Sequence, residues 1–410
     1  MPRAKHKWQK PRGERTDAEH WGGPTRKSQE GWECGWSKGV GASGCIRSST
    51  GPRRKRLSTT QPFTISKPLG YAAFKAVKAN AGAAGVDKQS LEDFEKDLKD
   101  KLSKIWNRMS SGSSFPPPVK AVAMAKKHGG ERLLGVPTVA DRVAQRVVKM
   151  PFEPAVEPLF LADSYGYRPG KSAVDAVSVT RQRCWRYDWG LEFAIQGLFD
   201  NIDHELLLRA VHKHTACTWV RLYMERWLKA PRQLADGTLV PRTKGTPQGS
   251  VVSPVLSNLF MHYAFAVWMT RTFPGTPWCR YADDGLVHCK SEQEAHAIKA
   301  ALSARLTECG LELHPDKTQI VYCKDGSRKG RYPKPQVDFL GYTFRPRVVK
   351  NRKRNSVFVN FTPAVSSAAL KAMRQTTRRR NVRNRTDLSL EDIAHSHNPV
   401  LRGWLAYYGR

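Results

Sequence analysis

Apolar residues recur at three- and four-residue steps through Leu91, Phe94, Leu98, Leu102, Ile105 and Met109, which predicts one amphipathic helix facing a core. Ser90 with Asp93 resembles the capping box that starts such a helix. Pro116-Pro117-Pro118 ends the segment, because proline lacks the amide that continues a helix. Val119 to Ala125 then reads as a strand, and Lys126 to Arg132 as a hairpin tip. A helix is expected from about Thr138 to Phe152. Leu191 to Ile195 is a short apolar strand, and Trp278–Ala282 and Gly285–Cys289 are two strands meeting at Asp283-Asp284. Helices are expected near 204–213, 217–229, 253–269 and 292–309. This irregular alternation is an α+β pattern, with no internal repeat.

After about Thr362 the pattern turns helical and basic, with helix starts at Ser389-x-x-Asp392 and Asn398-Pro399. Six arginines lie between Arg374 and Arg385, either as a solvated face or as an RNA-contacting one. The sequence stops at Tyr407-Tyr408-Gly409-Arg410, a turn or two into the last helix, as if cut. At the other end, residues 1–60 are rich in Gly, Ser, Arg and Lys and predict a basic, largely disordered segment. Its Trp8, Trp21, Trp32 and Trp36 are candidates for stacking on bases, or equally loose tail aromatics.

Charge narrows the function classes. The 410 residues, enough for two or three domains, include 69 Lys+Arg against 36 Asp+Glu, a net charge of +33. Such an excess repels itself unless a polyanion neutralises it, and nucleic acid is the expected polyanion, bound in a salt-dependent way. No signal peptide, no run of 18 apolar residues and no long basic amphipathic helix points to a membrane. Eight scattered cysteines form no C-x-x-C pair, so zinc is not expected and a reduced cytoplasmic setting is.

Tyr281-Ala282-Asp283-Asp284 carries the chemistry. Adjacent carboxylates between apolar strands are costly without a cation, and a divalent, oxygen-seeking metal is the natural occupant. Alone the motif is weak. It is accompanied by Ser164-Tyr165-Gly166-Tyr167-Arg168-Pro169-Gly170-Lys171-Ser172, Phe199-Asp200-Asn201-Ile202-Asp203-His204, Gly245-Thr246-Pro247-Gln248-Gly249-Ser250 and Phe339-Leu340-Gly341-Tyr342-Thr343-Phe344. Gly170-Lys171-Ser172 is not a P-loop end, since that motif needs Gly where Tyr165 stands.

In this order, over about residues 60–410, the segments resemble the bacterial group II intron reverse transcriptase/maturases. The resemblance implies a right-hand polymerase, with fingers over 61–190, a palm over 191–345 and an incomplete helical thumb/maturase domain over 346–410. It implies that Asp283 and Asp284 hold Mg2+, and that Lys317 protonates departing pyrophosphate. Lys126, Arg132, Phe199 and Gln248 match nucleotide-binding positions, and Phe339, Leu340, Gly341 and Tyr342 the primer grip. Taken singly, Gln248, Phe199 and Lys317 read as turn, core and surface. The implied partners are group II intron RNA, a primer–template and dNTPs.

One match fails. The family's first palm strand reads Asp-Ile-x-Gly-x-Phe-Asp, and this chain has Ala194-Ile195-Gln196-Gly197-Leu198-Phe199-Asp200. The missing carboxylate would bridge both metals, so impaired synthesis is expected. Asp200, past the strand end, is not expected to replace it. No HNH-type nuclease module is seen. A polymerase-inactive maturase that stabilises intron RNA, and a retron- or defence-type reverse transcriptase, stand as alternatives.

Overall fold

Helices and strands follow the apolar spacing closely in the middle of the chain and less closely at its two sides. The computed structural model describes residues 62–125, 131–330, 332–351 and 355–409. The basic amino-terminal tail and Lys126 lie outside the described residues.

The described chain starts with α1 (Lys67–Ala79), α2 (Leu91–Lys96) and α3 (Leu98–Ser110). The single helix expected from Leu91 to Met109 is therefore two, divided at Asp97, whose ψ of 40° leaves the helical region. The Lys101 ammonium takes the freed Asp93 carbonyl at 2.5 Å, and Phe94 stacks on Phe74 of α1. Local charge and packing thus interrupt a continuous apolar stripe. Strands β1 (Val119–Ala125) and β2 (Glu131–Val136) pair antiparallel, as the hairpin pattern predicts. Helix α4 (Val139–Val156) starts where Thr138 accepts the Asp141 amide and is buried along most of its length.

Helix α5 (Ala173–Cys184) opens on a Ser172/Asp175 capping box, and strand β3 (Trp189–Ala194) follows. Then come α6 (Leu198–Asn201), α7 (His204–His214), α8 (Thr218–Lys229) and the short β4 (Arg232–Gln233) and β5 (Leu239–Val240). The helix expected over 253–269 comprises α9 (Ser253–Met261), a π turn (His262–Ala266) and α10 (Val267–Thr272). Strands β6 (Trp278–Tyr281) and β7 (Asp284–Cys289) form the hairpin around the acidic pair, followed by α11 (Glu292–Glu308) and β8 (Gln319–Tyr322). The last third holds β9 (Val337–Phe339), β10 (Tyr342–Asn351), β11 (Ser356–Val365), α12 (Ser367–Arg380) and α13 (Leu390–Tyr408).

Asn398-Pro399 does not start a helix. Helix α13 begins at the Ser389/Asp392 capping box and passes through Pro399. The proline removes one amide donor, yet contacts at the far end carry the helix on to Tyr408.

The central sheet has the order β6-β7-β3-β8, with every neighbouring pair antiparallel. Side chains alternate across β3. Leu191 and Phe193 join the main core, where Phe193 meets Phe265 from the π turn at 5.0 Å. Glu192 and Ala194 lie on the opposite face. Gly285 is required beside Phe193, because a Cβ there would collide with the ring. The architecture is mixed α+β, and no helix among the described residues is long and apolar enough to cross a membrane.

Candidate active site

Between β6 and β7 the chain reverses at Ala282, whose φ of 56° is left-handed. The β3–β7 register sets Ala194 directly opposite Asp284, and the Ile195 amide donates to the Asp283 carbonyl at 2.9 Å. The alanine therefore stands beside the acidic pair, on the strand end where a carboxylate would face it. Burial raises the pKa of Asp283. Burial and then the Asp283 charge push Asp284 up to about 6, with the Lys317 ammonium acting in the opposite direction. Two carboxylates with this environment gain from a nearby cation. Among the described residues, no group of three or more His, Cys, Asp or Glu is placed to hold a metal.

Sequence reasoning missed the group beneath the turn. Arg280 is 1% exposed, and its guanidinium donates to the Ala282 carbonyl at 2.8 Å, Ser164 Oγ at 2.6 Å and Asn258 Oδ1 at 3.3 Å. Its backbone accepts the Tyr165 amide at 2.8 Å, and Asn258 Nδ2 donates to the Gly166 carbonyl at 2.7 Å. Gly166 lies so close under Ala282 that no side chain fits there. One buried cation thus joins the 164–167 loop, α9 and the acidic turn. Burial lowers the Arg280 pKa to about 10, so it stays charged and helps to offset Asp283. A signal was present: an arginine inside an otherwise apolar strand needs buried partners.

The glutamine loop is stitched to α6. Gly245, at φ 78°, donates its amide to the Ile202 carbonyl at 2.7 Å, and the Thr246 amide reaches the Phe199 carbonyl at 2.6 Å. Gln145 of α4 accepts Ser250 Oγ at 2.6 Å and the Val251 amide at 2.8 Å, and it donates to Asp141 at 2.9 Å. The Gln248 side chain donates to Asp200 Oδ2 at 3.1 Å, and the Phe199 ring meets Tyr167 edge-on at 6.0 Å. Gln248 is thereby tied to α6, and Tyr167 packs against the same short helix. Asp200 lies on α6, past the end of β3, with its carboxylate tied to Gln248, whereas Ala194 is the β3 residue paired with Asp284. Exposed Arg132 on β2 acts on Tyr167 and Asp283 through its charge.

On the other side, a cavity of about 720 Å³ is lined by Glu192, Ala194, Asp284, Lys317 and the Phe339–Gly341 segment, with α12 and α13 as its far wall. Tyr342 is buried behind the segment, paired with Phe339. Glu192 was also missed. Burial pushes it up to about 7 against a 2.5 Å hydrogen bond from Gln319, and the Asp338 and Asp284 charges add to the rise. Of the residues singled out from sequence, Ala194, Asp284, Lys317 and Phe339–Gly341 thus line one cavity, with Asp283 next to Asp284 and Tyr342 behind the segment, whereas Gln248 and Phe199 meet at α6 outside that lining.

The profile of the reverse transcriptase (RNA-dependent DNA polymerase) family matches residues 124–344, more than half of the chain. The chain belongs to the reverse transcriptase family. Residues 370–410 match the group II intron, maturase-specific domain. The chain is 31% identical over 203 residues to the group II intron-encoded protein LtrA of Lactococcus lactis, covering 49% of this chain and 33% of LtrA. It therefore spans about a third of that relative's length. It is 28% identical over 338 residues to protein YkfC of Escherichia coli, covering 72% of this chain and 82% of YkfC. It is also 26% identical over 208 residues to a 91 kDa protein in the cob intron of Schizosaccharomyces pombe, covering 49% of this chain and 24% of that one. The reverse transcriptase match and the group II intron, maturase-specific match thus follow one another along the chain, and the reverse transcriptase family is generally dependent on a divalent metal.

Proposed function

We propose that this reverse transcriptase is a group II intron reverse transcriptase/maturase whose RNA-templated DNA synthesis is impaired at residue 194. The observation that carries the reading is the register pairing of Ala194 with Asp284 on the cavity that also holds Lys317 and the 339–341 turn. Residues 61–190 act as fingers, 191–345 as palm and 346–410 as thumb/maturase region. The donor chemistry of Asp283 and Asp284 fits Mg2+: hard carboxylate oxygens, both raised in pKa by burial, and Asp284 also by the Asp283 charge. When bound, Mg2+ supplies charge neutralisation for the transfer of a nucleotide to a primer 3′-hydroxyl.

The chain's own residues do the rest. Gln248 and Phe199 line the dNTP pocket, and the Phe199 ring excludes a ribose 2′-hydroxyl. Lys126 and Arg132 bind the triphosphate by charge-assisted hydrogen bonds. Lys317 gives a proton to the leaving pyrophosphate, and residues 339–342 hold the primer end. The template is intron RNA. Primer extension on an RNA template with Mg2+ and dNTPs, run on this chain and on Ala194→Asp, tests the reading. The aspartate variant is expected to be the active one, and an inactive, folded variant overturns the assignment.

A second reading keeps the RNA grip without the polymerase. Ala194 and the maturase-specific match over 370–410 favour it, because splicing chemistry belongs to the RNA and needs no protein carboxylate. It predicts faster splicing of a cognate group II intron at near-physiological salt, and no acceleration removes it.

A further inference from the structure

The turn between β9 and β10 is left-handed at both Leu340 (φ 51°) and Gly341 (φ 81°). Its carbonyls are held from outside the sheet. The Tyr407 hydroxyl of α13 donates to the Leu340 carbonyl at 2.8 Å, and the Ser366 amide donates to the Gly341 carbonyl at 3.0 Å. The Tyr342 hydroxyl returns the contact by donating to the Tyr407 carbonyl. Tyr408 covers the turn so closely that a Cβ on Gly341 would lie 2.8 Å from its hydroxyl oxygen. The three rings pack with centroids 4.7–5.7 Å apart. Tyr407 therefore grips the turn with its side chain while its backbone is gripped in return.

This latch connects two different regions. Leu340 and Gly341 border the cavity that holds Asp284. Helix α13 is tied to α12 by Arg380, whose guanidinium donates to the Ser396 carbonyl at 2.5 Å. Arg378, Arg379 and Arg380 crowd the last turn of α12. A polyanion seated on those arginines thus acts on the helix pair whose far end fixes the turn. Burial pushes the Tyr407 hydroxyl up to about 12, so it stays protonated and serves as a donor.

We propose that Tyr407 is a positioning residue that places the primer end through the Leu340 carbonyl, coupling the arginine-rich maturase segment to the catalytic cavity. The inference rests on the primer-grip reading of residues 339–342. It is tested by Tyr407→Phe in the full chain carrying Ala194→Asp, since the ring is kept and one hydroxyl is lost. Loss of a neutral hydrogen bond corresponds to about a threefold to tenfold effect. The expected result is a rise of that size in KM for primer–template, with KM for dNTP unchanged. Tyr342→Phe removes the reciprocal bond, and the double variant is expected to cost less than the two single effects multiplied, because both act through one latch. A lower Tm with both KM values unchanged assigns Tyr407 a structural role and overturns the proposal.

Failure of the underlying reading is distinguishable. If Ala194→Asp extends no primer, the function assignment falls, and amide exchange at residues 340–342 still reads the latch. Faster exchange there in Tyr407→Phe, but unchanged exchange in the central sheet, supports the latch. Equal exchange in both proteins rejects it.

Discussion

The turn that leads into Asp284 and the Leu340–Gly341 turn meet at the same cavity, and each contains left-handed backbone, at Ala282 in the first and at both residues of the second. They are held in opposite ways. The acidic turn is fixed from below by Arg280, which is buried in the reverse transcriptase region itself and binds Ala282, Ser164 and Asn258. The other turn is fixed from above by tyrosines near residue 407, within the maturase-specific match. The carboxylates are therefore placed by the family's own scaffold, whereas the neighbouring turn depends on the segment that follows it. Changes in the two regions should therefore be separable: the first set alters the acidic turn and its stability, the second the Leu340–Gly341 turn and whatever it holds on the proposed reading.

The largest effect is expected from Ala194→Asp. It places a third carboxylate opposite Asp284, and on the proposed reading primer extension should rise about a thousandfold, the size of a completed metal site. A rise below tenfold, with the fold intact by circular dichroism, would mean that the acidic turn lacks more than residue 194. Next is Arg280→Met, which leaves the Ala282 carbonyl and the Asn258 amide oxygen without their buried donor. A loss of about 3 kcal/mol in urea unfolding is expected. An unchanged midpoint would show that the turn does not depend on the guanidinium.

Smaller still is the effect of Asp284→Asn without divalent cations. The folded state raises the Asp284 pKa from 3.8 to about 6, so the native protein holds this proton more tightly than the unfolded chain does. The contribution to stability is thus full below the unfolded value and lost as pH rises through about 6. Asp284→Asn should stabilise the protein by about 2 kcal/mol at pH near 7.5 and by nothing near pH 3. Glu192→Gln should behave alike in a window that ends near pH 7. A gain that is independent of pH would argue against burial and mutual repulsion as its cause. Weakest of all is Tyr407→Phe, whose few-fold shift is confined to the primer–template.

Where periodicity meets a buried face, the sequence was legible. The strands around Asp283-Asp284, the helix from Thr138 and the helices near 204 and 292 lie where their apolar patterns put them. The β10–β11 hairpin was not visible, because Val348, Val357 and Phe358 project into solvent and the pair lacks a regular buried alternation. The division at Asp97 and the continuation through Pro399 depend on contacts to other elements, which no local pattern records. At the site, motif order brought Asp283, Asp284, Gln248 and the 339–342 segment into view. Arg280 and Glu192 were passed over as members of apolar strands, although a charge in such a place demands a partner. Tyr407 looked like an end of chain until the helix carrying it was seen to close on a turn 67 residues away in sequence.

The ladder around Ala194 has consequences for the history of this gene. Its small methyl group sits in a regularly paired strand, opposite Asp284 and on the cavity that Lys317 also lines. An alanine codon ending in a pyrimidine lies a single base change from one for aspartate. Where the codon is of that kind, a single nucleotide separates this strand end from one that carries a third acid opposite Asp284.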